Sequence, residues 1–317
     1  MGDILLVGAG PMAIEYAKVL RSLSVDMIVI GRGAASAAAF QTATGVAVHE
    51  GGIEAWLGRN TVLPSHAIIA VGEQSLGSSA LRLLERGLQN ILVEKPGGAT
   101  VDEIRRVHRM ARERGAQVFI GYNRRFYAAV MKAREIITED GGVTSFNFEF
   151  TEWNHVIKDL KKEPGVKEHW FLHNSTHVID LAYYLGGKPR DIACYTGGGV
   201  DWHPAASIFS GAGVSDRNAL FSYQANWEAP GRWGVEVLTK KHRLIFRPLE
   251  KLQVQKTGSV AIEFLEIDDT LDRDYKPGLF RQVQAFVRGA GGELCSIQEQ
   301  ADMMDVYCKM SNYPPVG

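Results

Sequence analysis

The residues of this chain with the types and spacing to do chemistry fall into three clusters and one turn. The turn is Val7-Gly8-Ala9-Gly10-Pro11-Met12-Ala13, a G-x-G-x-x-A pattern set between the apolar run Ile4–Val7 and the helix-spaced Ile14, Ala17, Val19 and Leu20. In that setting Gly8 permits a tight turn, Gly10 lets a pyrophosphate approach the backbone, and Ala13 lets the helix pack close to the strand. The phosphates would sit at the helix start, Pro11-Met12-Ala13, on its free N–H groups and positive end. The first cluster is Glu94-Lys95-Pro96, directly after Ile91-Leu92-Val93. A strand end is where active sites of open α/β sheets gather, and Pro96 stiffens the chain there. The Lys95 ammonium can hold a substrate hydroxyl or carbonyl oxygen while hydride moves, with Glu94 either orienting it or facing a helix. Taken alone, the same tripeptide is also a common surface sequence.

The second cluster, Gly121-Tyr122-Asn123-Arg124-Arg125-Phe126, follows another apolar run. Tyr122, Asn123 and Arg124 are candidate substrate contacts. The arginine pair could instead close salt bridges at a domain junction. The third, His173-Asn174-Ser175-Thr176-His177-Val178-Ile179-Asp180, puts His177 and Asp180 three residues apart, on one face if the segment is helical. A histidine can exchange the proton of a sugar hydroxyl near neutral pH. Asp180 could orient it or bind substrate. His173 and His177 have i, i+4 spacing, but no further ligand is evident, and no metal is expected.

NAD enzymes usually place a carboxylate after the second strand to bond the adenosine ribose. Here the strand Ile28-Val29-Ile30 runs into Gly31-Arg32-Gly33. Without an acid to repel it, a 2′-phosphate can be gripped by the Arg32 guanidinium. NADP is therefore preferred over NAD, unless Arg32 is only a solvated turn residue. Val71-Gly72 ends a further strand, at a plausible edge of the nicotinamide crevice.

The elements that must position these groups alternate up to about residue 120. Strands are expected at Ile4–Val7, Met27–Ile30, Ala67–Val71, Ile91–Val93 and Val118–Ile120, with helices at Leu76–Arg86 and Val101–Arg114. The latter opens on Thr100 followed by Glu103 and closes at Gly115, a capping box and a glycine stop. Such alternation means a doubly wound parallel sheet. The stretch Gly31–Glu50 is ambiguous, with part of it read as a helix. Beyond Phe126, strand-like runs dominate: Val143–Glu149, Arg190–Tyr195, Ala219–Trp227, Gly234–Leu238, Leu244–Phe246 and Ala261–Leu265. Helices are expected there only at Thr176–Leu185, Leu279–Val287 and Gln298–Met310, so a mostly antiparallel sheet follows. Asp159–Lys167 reads as a charged mobile loop.

A length of 317 residues suggests two domains. They are taken as 1–122, dinucleotide-binding, and 123–317, for substrate binding and oligomerisation, with the C-terminal helices able to pack back on the first. A net charge of −1 gives no reason to expect nucleic acid or an anionic membrane as partner. The three cysteines, Cys194, Cys295 and Cys308, lack metal-like spacing and read as reduced thiols. No signal-like or membrane-spanning run is present, and a cytoplasmic protein is expected.

Together, in this order, the motifs resemble the glucose–fructose oxidoreductase / inositol dehydrogenase / MocA (Gfo/Idh/MocA) family. The matching pieces are Val7–Ala13, Glu94-Lys95-Pro96, Gly121–Phe126 and His177-Val178-Ile179-Asp180-Leu181, with Leu185-Gly186-Gly187 closing the helix. The resemblance implies an α/β protein: an N-terminal Rossmann domain, then an α/β domain with a large open sheet that often joins subunits into dimers or tetramers. It implies NAD(P)-dependent oxidation or reduction of hydroxyl and keto groups of sugars, cyclitols or nucleotide-linked sugars. Lys95 then looks like the substrate-oxygen lysine and His177 like the acid/base histidine, with Asp180 assisting and Asn123, Arg124, Trp170 and His173 near the substrate. One departure is that many members carry Asp four residues before the histidine, where this chain has His173. Two other readings stay open. One is a glycosidase using held NAD(H) for transient oxidation and elimination, and the other is a catalytically silent cofactor-binding regulator.

Overall fold

A computed structural model describes residues 4–314. The chain divides into two compact units. The first runs up to Asn123 and includes Leu271–Met303, and the second takes Arg124–Thr270 and the segment from Met304 onward.

The first unit is built on strands β1 (Ile4–Val7), β2 (Met27–Ile30), β3 (Val48–His49), β4 (His66–Ile69), β5 (Asn90–Val93) and β6 (Gln117–Ile120). The second contains β7 (Ser145–Glu149), β8 (Pro189–Gly197), β9 (Ile208–Ser215), β10 (Leu220–Asn226), β11 (Gly234–Leu238), β12 (His242–Phe246), β13 (Gln253–Lys256) and β14 (Glu263–Phe264). A last strand, β15 (Cys295–Ser296), belongs to the first unit.

In the first unit the order is β15-β6-β5-β4-β1-β2-β3, parallel except for β15, which runs against β6. This is a doubly wound sheet whose order reverses between β1 and β4, the switch point where ligands settle. β1 and the Ile91-Leu92-Val93 part of β5 are apolar runs with almost no exposed surface, as strands covered on both faces must be. Helices Pro11–Ser22, Ala34–Thr44, Gly52–Arg59, Leu76–Glu85 and Val101–Arg114 connect the strands. The last starts as its sequence requires: the Thr100 hydroxyl accepts from the Glu103 amide at 3.2 Å, and the Glu103 carboxylate accepts from the Ala99 amide at 2.7 Å. Gly115 ends it in the left-handed conformation.

The second unit carries an eight-stranded sheet in the order β14-β13-β12-β11-β7-β10-β9-β8. Every pairing is antiparallel except that of β10 with β7. One face packs on helix Thr176–Gly186, where Phe146, Phe148 and Tyr183 form a buried aromatic layer with ring centroids 5.4–6.5 Å apart. Gly186 is required there, since a Cβ at that position would fall 2.3 Å from the Phe146 ring. The opposite face leaves Tyr195 and Leu220 exposed.

Several elements depart from the expectations. Helix Ala128–Glu139 and strands β9 and β13 stand where the sequence suggested none. The ambiguous stretch after Gly31 resolves into a helix, Ala34–Thr44, and the short strand β3.

Candidate active-site groups in the two units

In the first unit, the parallel ladder carries straight into the loops at the carboxyl ends of the strands. The Gly8 amide donates to the Ile30 carbonyl (2.8 Å), Glu94 to Ile69 (2.9 Å) and Gly121 to Val93 (2.8 Å). Gly8–Ala13, Gly31–Arg32, Val71–Gly72, Glu94–Lys95 and Tyr122–Asn123 are thereby all presented at one edge of the sheet. Gly8 has φ +128°, and a Cβ there would lie 2.2 Å from the Ala70 carbonyl oxygen. The glycine is therefore fixed by close approach as well as by conformation. Gly10 differs: its backbone is extended, and a Cβ would meet nothing within 4 Å. The space beside it lies at the start of helix Pro11–Ser22, with no side-chain cap and no acidic residue in the first turn. Met12 and Ala13 lead that helix with amides that have no carbonyl of their own helix to bond. Open space, helix-start amides and the absence of negative charge fit a dinucleotide pyrophosphate.

At the end of β2, Gly31 is buried against neighbours that leave it no side-chain room. A Cβ would fall 2.7 Å from Val48 Cγ1 and 3.1 Å from the Ala9 Cβ. No acidic side chain fits at this point of the ribose position, and the next residue, Arg32, is exposed. Val71 is half-buried and Gly72 exposed at the end of β4.

Glu94 and Lys95 are half-buried. The Tyr16 hydroxyl donates to Glu94 Oε1 at 2.6 Å. Burial pushes the Glu94 carboxyl up, against the lowering effect of Tyr16, Lys95 and Lys276. Burial, followed by the Glu94 charge, holds the Tyr16 phenol well above its usual range. Gly121 packs on this pair, since a Cβ there would lie 3.3 Å from both Glu94 Oε1 and the Tyr16 oxygen. Glu94 is thus set by Tyr16, which the sequence did not single out, and the tyrosine's place on the inner face of the first helix was its only signal.

Two expected substrate contacts have bonds within the first unit. Tyr122 is buried, with its hydroxyl donating to Gln300 Oε1 at 3.3 Å, while Gln300 Nε2 donates to the Pro96 carbonyl at 2.9 Å. Through Gln300 it braces the Lys95-Pro96 turn from behind. Asn123 is also buried, and its amide donates to the Pro277 carbonyl at 2.8 Å.

The second unit holds the other groups. Phe171–Ser175 forms one π-helical turn that runs into helix Thr176–Gly186. Turns of this kind often occur at functional sites. His173 and His177 are both buried, and the His177 ring lies 6.2 Å from that of Trp233. The Arg124 guanidinium sits 4.9 Å over Trp233, and that of Arg232 lies 5.3 Å from the same ring. Burial lowers the pKa of Arg124. Trp170 is buried in edge contact with Trp202.

Asp180 accepts from Arg125 through both oxygens, at 2.8 and 2.5 Å, and both side chains are buried. Arg125 is thereby a structural partner within the second unit, while Arg124 is the arginine placed among aromatic rings. Glu152, which the sequence reading missed, is buried just beyond β7. It accepts from Ser175 Oγ at 2.8 Å and from Asn174 Nδ2 at 3.0 Å. Burial raises its pKa, against those bonds. Its signal was a carboxylate placed directly after an apolar alternating strand. Among the described residues, no three His, Cys, Asp or Glu side chains gather as a metal site would require. No helix of the described residues is long and apolar enough to cross a membrane.

These features define a class: an α/β protein with a Rossmann-type dinucleotide-binding unit and a second unit built on an open, mostly antiparallel sheet. Residues 3–122 match the Gfo/Idh/MocA oxidoreductase family, described as having an NAD-binding Rossmann fold, so the family resemblance of the first unit stands. No curated protein matches the sequence. Solved structures match along nearly the whole chain. The UDP-N-acetylglucosamine 3-dehydrogenase of Acidithiobacillus ferrooxidans is 14% identical, with a TM-score of 0.74, covering 98% of this chain and 97% of that one. A levoglucosan dehydrogenase in complex with NADH is 16% identical, with a TM-score of 0.78 and coverage of 98% and 95%. A putative NADPH-dependent oxidoreductase of Desulfitobacterium hafniense is 19% identical, with a TM-score of 0.78 and coverage of 98% and 94%. At these identities the likeness is one of fold.

Proposed function

We propose that this protein is an NAD(P)-dependent oxidoreductase that moves a hydride between the nicotinamide and a hydroxyl or keto carbon of a sugar-type substrate. The observation that carries the reading is the open space at Gly10, at the start of an uncapped helix, on the same sheet edge as Lys95. Dehydrogenase activity on sugars and nucleotide-linked sugars among proteins of the same fold supports it.

Met12 and Ala13 would hold the pyrophosphate through their amides, with Val71 and Gly72 bordering the nicotinamide. The bound dinucleotide supplies a hydride donor or acceptor. Lys95 binds the reacting oxygen and offsets its developing negative charge. Glu94, fixed by Tyr16, keeps a carboxylate beside that lysine. His177 exchanges the proton of the reacting hydroxyl. Asp180, pinned by Arg125, holds the helix face from which His177 projects, while Arg124, Trp170 and His173 surround the histidine's side of the substrate. Arg32 favours NADP, because Gly31 has no room for the acid that would read a ribose hydroxyl and the exposed guanidinium can meet a 2′-phosphate. The outward residues of β8, β9 and β10, Tyr195, Ile208 and Leu220 among them, support self-association through the open sheet. A cytoplasmic location is part of the same reading.

The test is a parallel titration of the purified protein with NADPH and NADH, followed by nicotinamide fluorescence. Saturable binding with tighter NADPH is expected. Tighter NADH removes the role given to Arg32, and binding of neither overturns the oxidoreductase reading.

A further inference from the structure

The second unit contains a cavity of about 450 Å³ that, of the groups described above, is lined by Glu152 alone. Its wall includes Glu152, Trp153, Asn154 and His155, from the chain leaving β7, and Trp227 and Glu228, from the turn after β10. The volume falls within the range of small-molecule sites. Two lines of contact tie it to His177. Glu152 is bonded to Asn174 and Ser175, on the turn that leads into the histidine's helix. On the other wall, Gly231 continues into Arg232 and Trp233, and Trp233 is the ring beside His177.

The lining is polar in a particular way. Asn154 accepts from Trp202 Nε1 at 2.7 Å through its oxygen, which orients the amide and leaves its N–H groups as donors. Glu228 accepts from Ser207 Oγ at 2.6 Å through Oε2, so its second oxygen remains an acceptor. Trp153 is fixed by donating Nε1–H to the Gly231 carbonyl at 2.9 Å, yet it stays 44% exposed. Trp227 is immobilised by a parallel stack on Trp202. Two carboxylates line this cavity and no lysine or arginine does. Arg232, which follows Gly231 in the chain, is laid over the Trp153 ring at 4.5 Å.

We infer that this cavity takes an uncharged, unlinked sugar or cyclitol ring, with hydroxyls donating to Glu228, hydroxyl oxygens accepting from Asn154, and an apolar ring face lying against indole. Pre-oriented carboxylate and amide groups beside rigid aromatic surface match a ring that is hydroxylated at its edge and apolar on its faces. A uronate or nucleotide diphosphate would bring negative charge against the Glu228 carboxylate, with no lysine or arginine in the lining to offset it, which costs binding. The inference rests on the oxidoreductase reading for its link to His177, and it narrows the substrate from sugars in general to neutral, unlinked ones.

The experiment is isothermal titration of the full-length protein with glucose, galactose, myo-inositol, glucuronate and UDP-glucose, repeated on Asn154→Ala and Glu228→Gln, with NADH titrated in parallel. Saturable binding of a neutral ring is expected, tighter than glucuronate or UDP-glucose. Each substitution should weaken it about tenfold, the worth of one good hydrogen bond, and leave NADH affinity unchanged. The inference is overturned if no neutral ring binds, if both variants bind it like the wild type, or if UDP-glucose binds tighter than any neutral ring. Failure of the oxidoreductase reading registers separately, as absence of NADH binding to the wild-type protein.

Discussion

At the carboxyl edge of the parallel sheet, the first unit offers mostly backbone: Gly8, Gly10, Gly31 and Gly72, a helix start, and the Lys95 ammonium. Near His177 and on the elements that carry it, the second unit offers side chains instead: Trp233 with Arg124 and Arg232 against it, Glu152 bonded to the preceding turn, and the buried Arg125–Asp180 pair. The contrast follows from what each would hold. A dinucleotide phosphate is recognised by amides and a helix end, which many sequences can supply once glycines clear the approach. A sugar is recognised by hydrogen bonds that only placed side chains can make, and those side chains need packing partners to stay in place. The first unit should therefore tolerate side-chain changes and fail on backbone ones, and the second should do the reverse.

The largest effect tests the side chain to which the proposal gives the reacting oxygen. Lys95→Met should lower kcat at least about a hundredfold, toward the ten-thousandfold end of proton-transfer and charge-stabilising groups, with NADH affinity kept. Fluorescence titration and steady-state rates check both halves of that statement. Turnover that survives would remove Lys95 from the chemistry and leave the first unit a pure backbone site.

In the second unit, Arg125→Ala should strand the Asp180 carboxylate in the interior. Breaking one partner of a buried pair costs about 3–5 kcal/mol. Urea denaturation should show that loss in the transition of the second unit, and Arg125→Lys should restore only part of it because the two-pronged geometry is gone. A loss below about 1 kcal/mol, the worth of a surface pair, would show that Asp180 is not held by this arginine, and would return it to the role of simple partner to His177.

The same contrast explains how much was readable before the structure. The parallel strands and the glycine turn were legible because local signals set them: apolar runs covered on both faces, Gly8 at positive φ, and Thr100 with Glu103 at a helix start. Strand β9 was not, since its Ser210-Gly211-Ala212-Gly213 core looks like a loop. Those glycines answer to neighbours far along the chain: a Cβ at Gly211 would lie 2.4 Å from the Tyr223 ring, and one at Gly213 would lie 2.1 Å from the Asp191 carbonyl oxygen. Lys95 and His177 stood out as residue types at strand and helix ends. Glu152 and Tyr16 did not, because their importance comes from Ser175, Asn174 and Glu94, and no spacing in the chain announces those partners. The same holds for Tyr122, whose hydroxyl bonds Gln300, a partner far away in sequence.

A smaller effect probes the backbone character of the ribose position. Arg32→Ala should reduce NADPH affinity about tenfold, in line with the loss of one charge-assisted pair, and leave NADH affinity unchanged. Gly31→Asp should not convert the protein into a good NAD binder, because Val48 and Ala9 occupy the space its side chain would need. If Gly31→Asp did raise NADH affinity, β3 would have to yield easily, and the glycine would be a matter of charge rather than of room.

The smallest effect is a slope in pH, and it asks whether the second unit stores cost in its placed side chains. Burial raises the Glu152 carboxyl above its usual value, although Ser175 and Asn174 pull the other way. The folded state therefore disfavours the ionised form. Below the unfolded value of about 4.3 the group is protonated in both states and carries no penalty. As pH rises through that value and then past the raised folded one, the wild type loses stability that Glu152→Gln, which cannot ionise, retains. The stability of the wild type minus that of Glu152→Gln should thus fall as pH rises from about 4 and level off above the folded pKa, whatever constant offset the altered hydrogen bonds add. Paired urea melts across that range measure the difference directly. A difference that rises with pH would mean that the bonds from Ser175 and Asn174 outweigh burial. Glu152 would then be a stabilising carboxylate, and the placed side chains of the second unit would hold it at no cost to the fold.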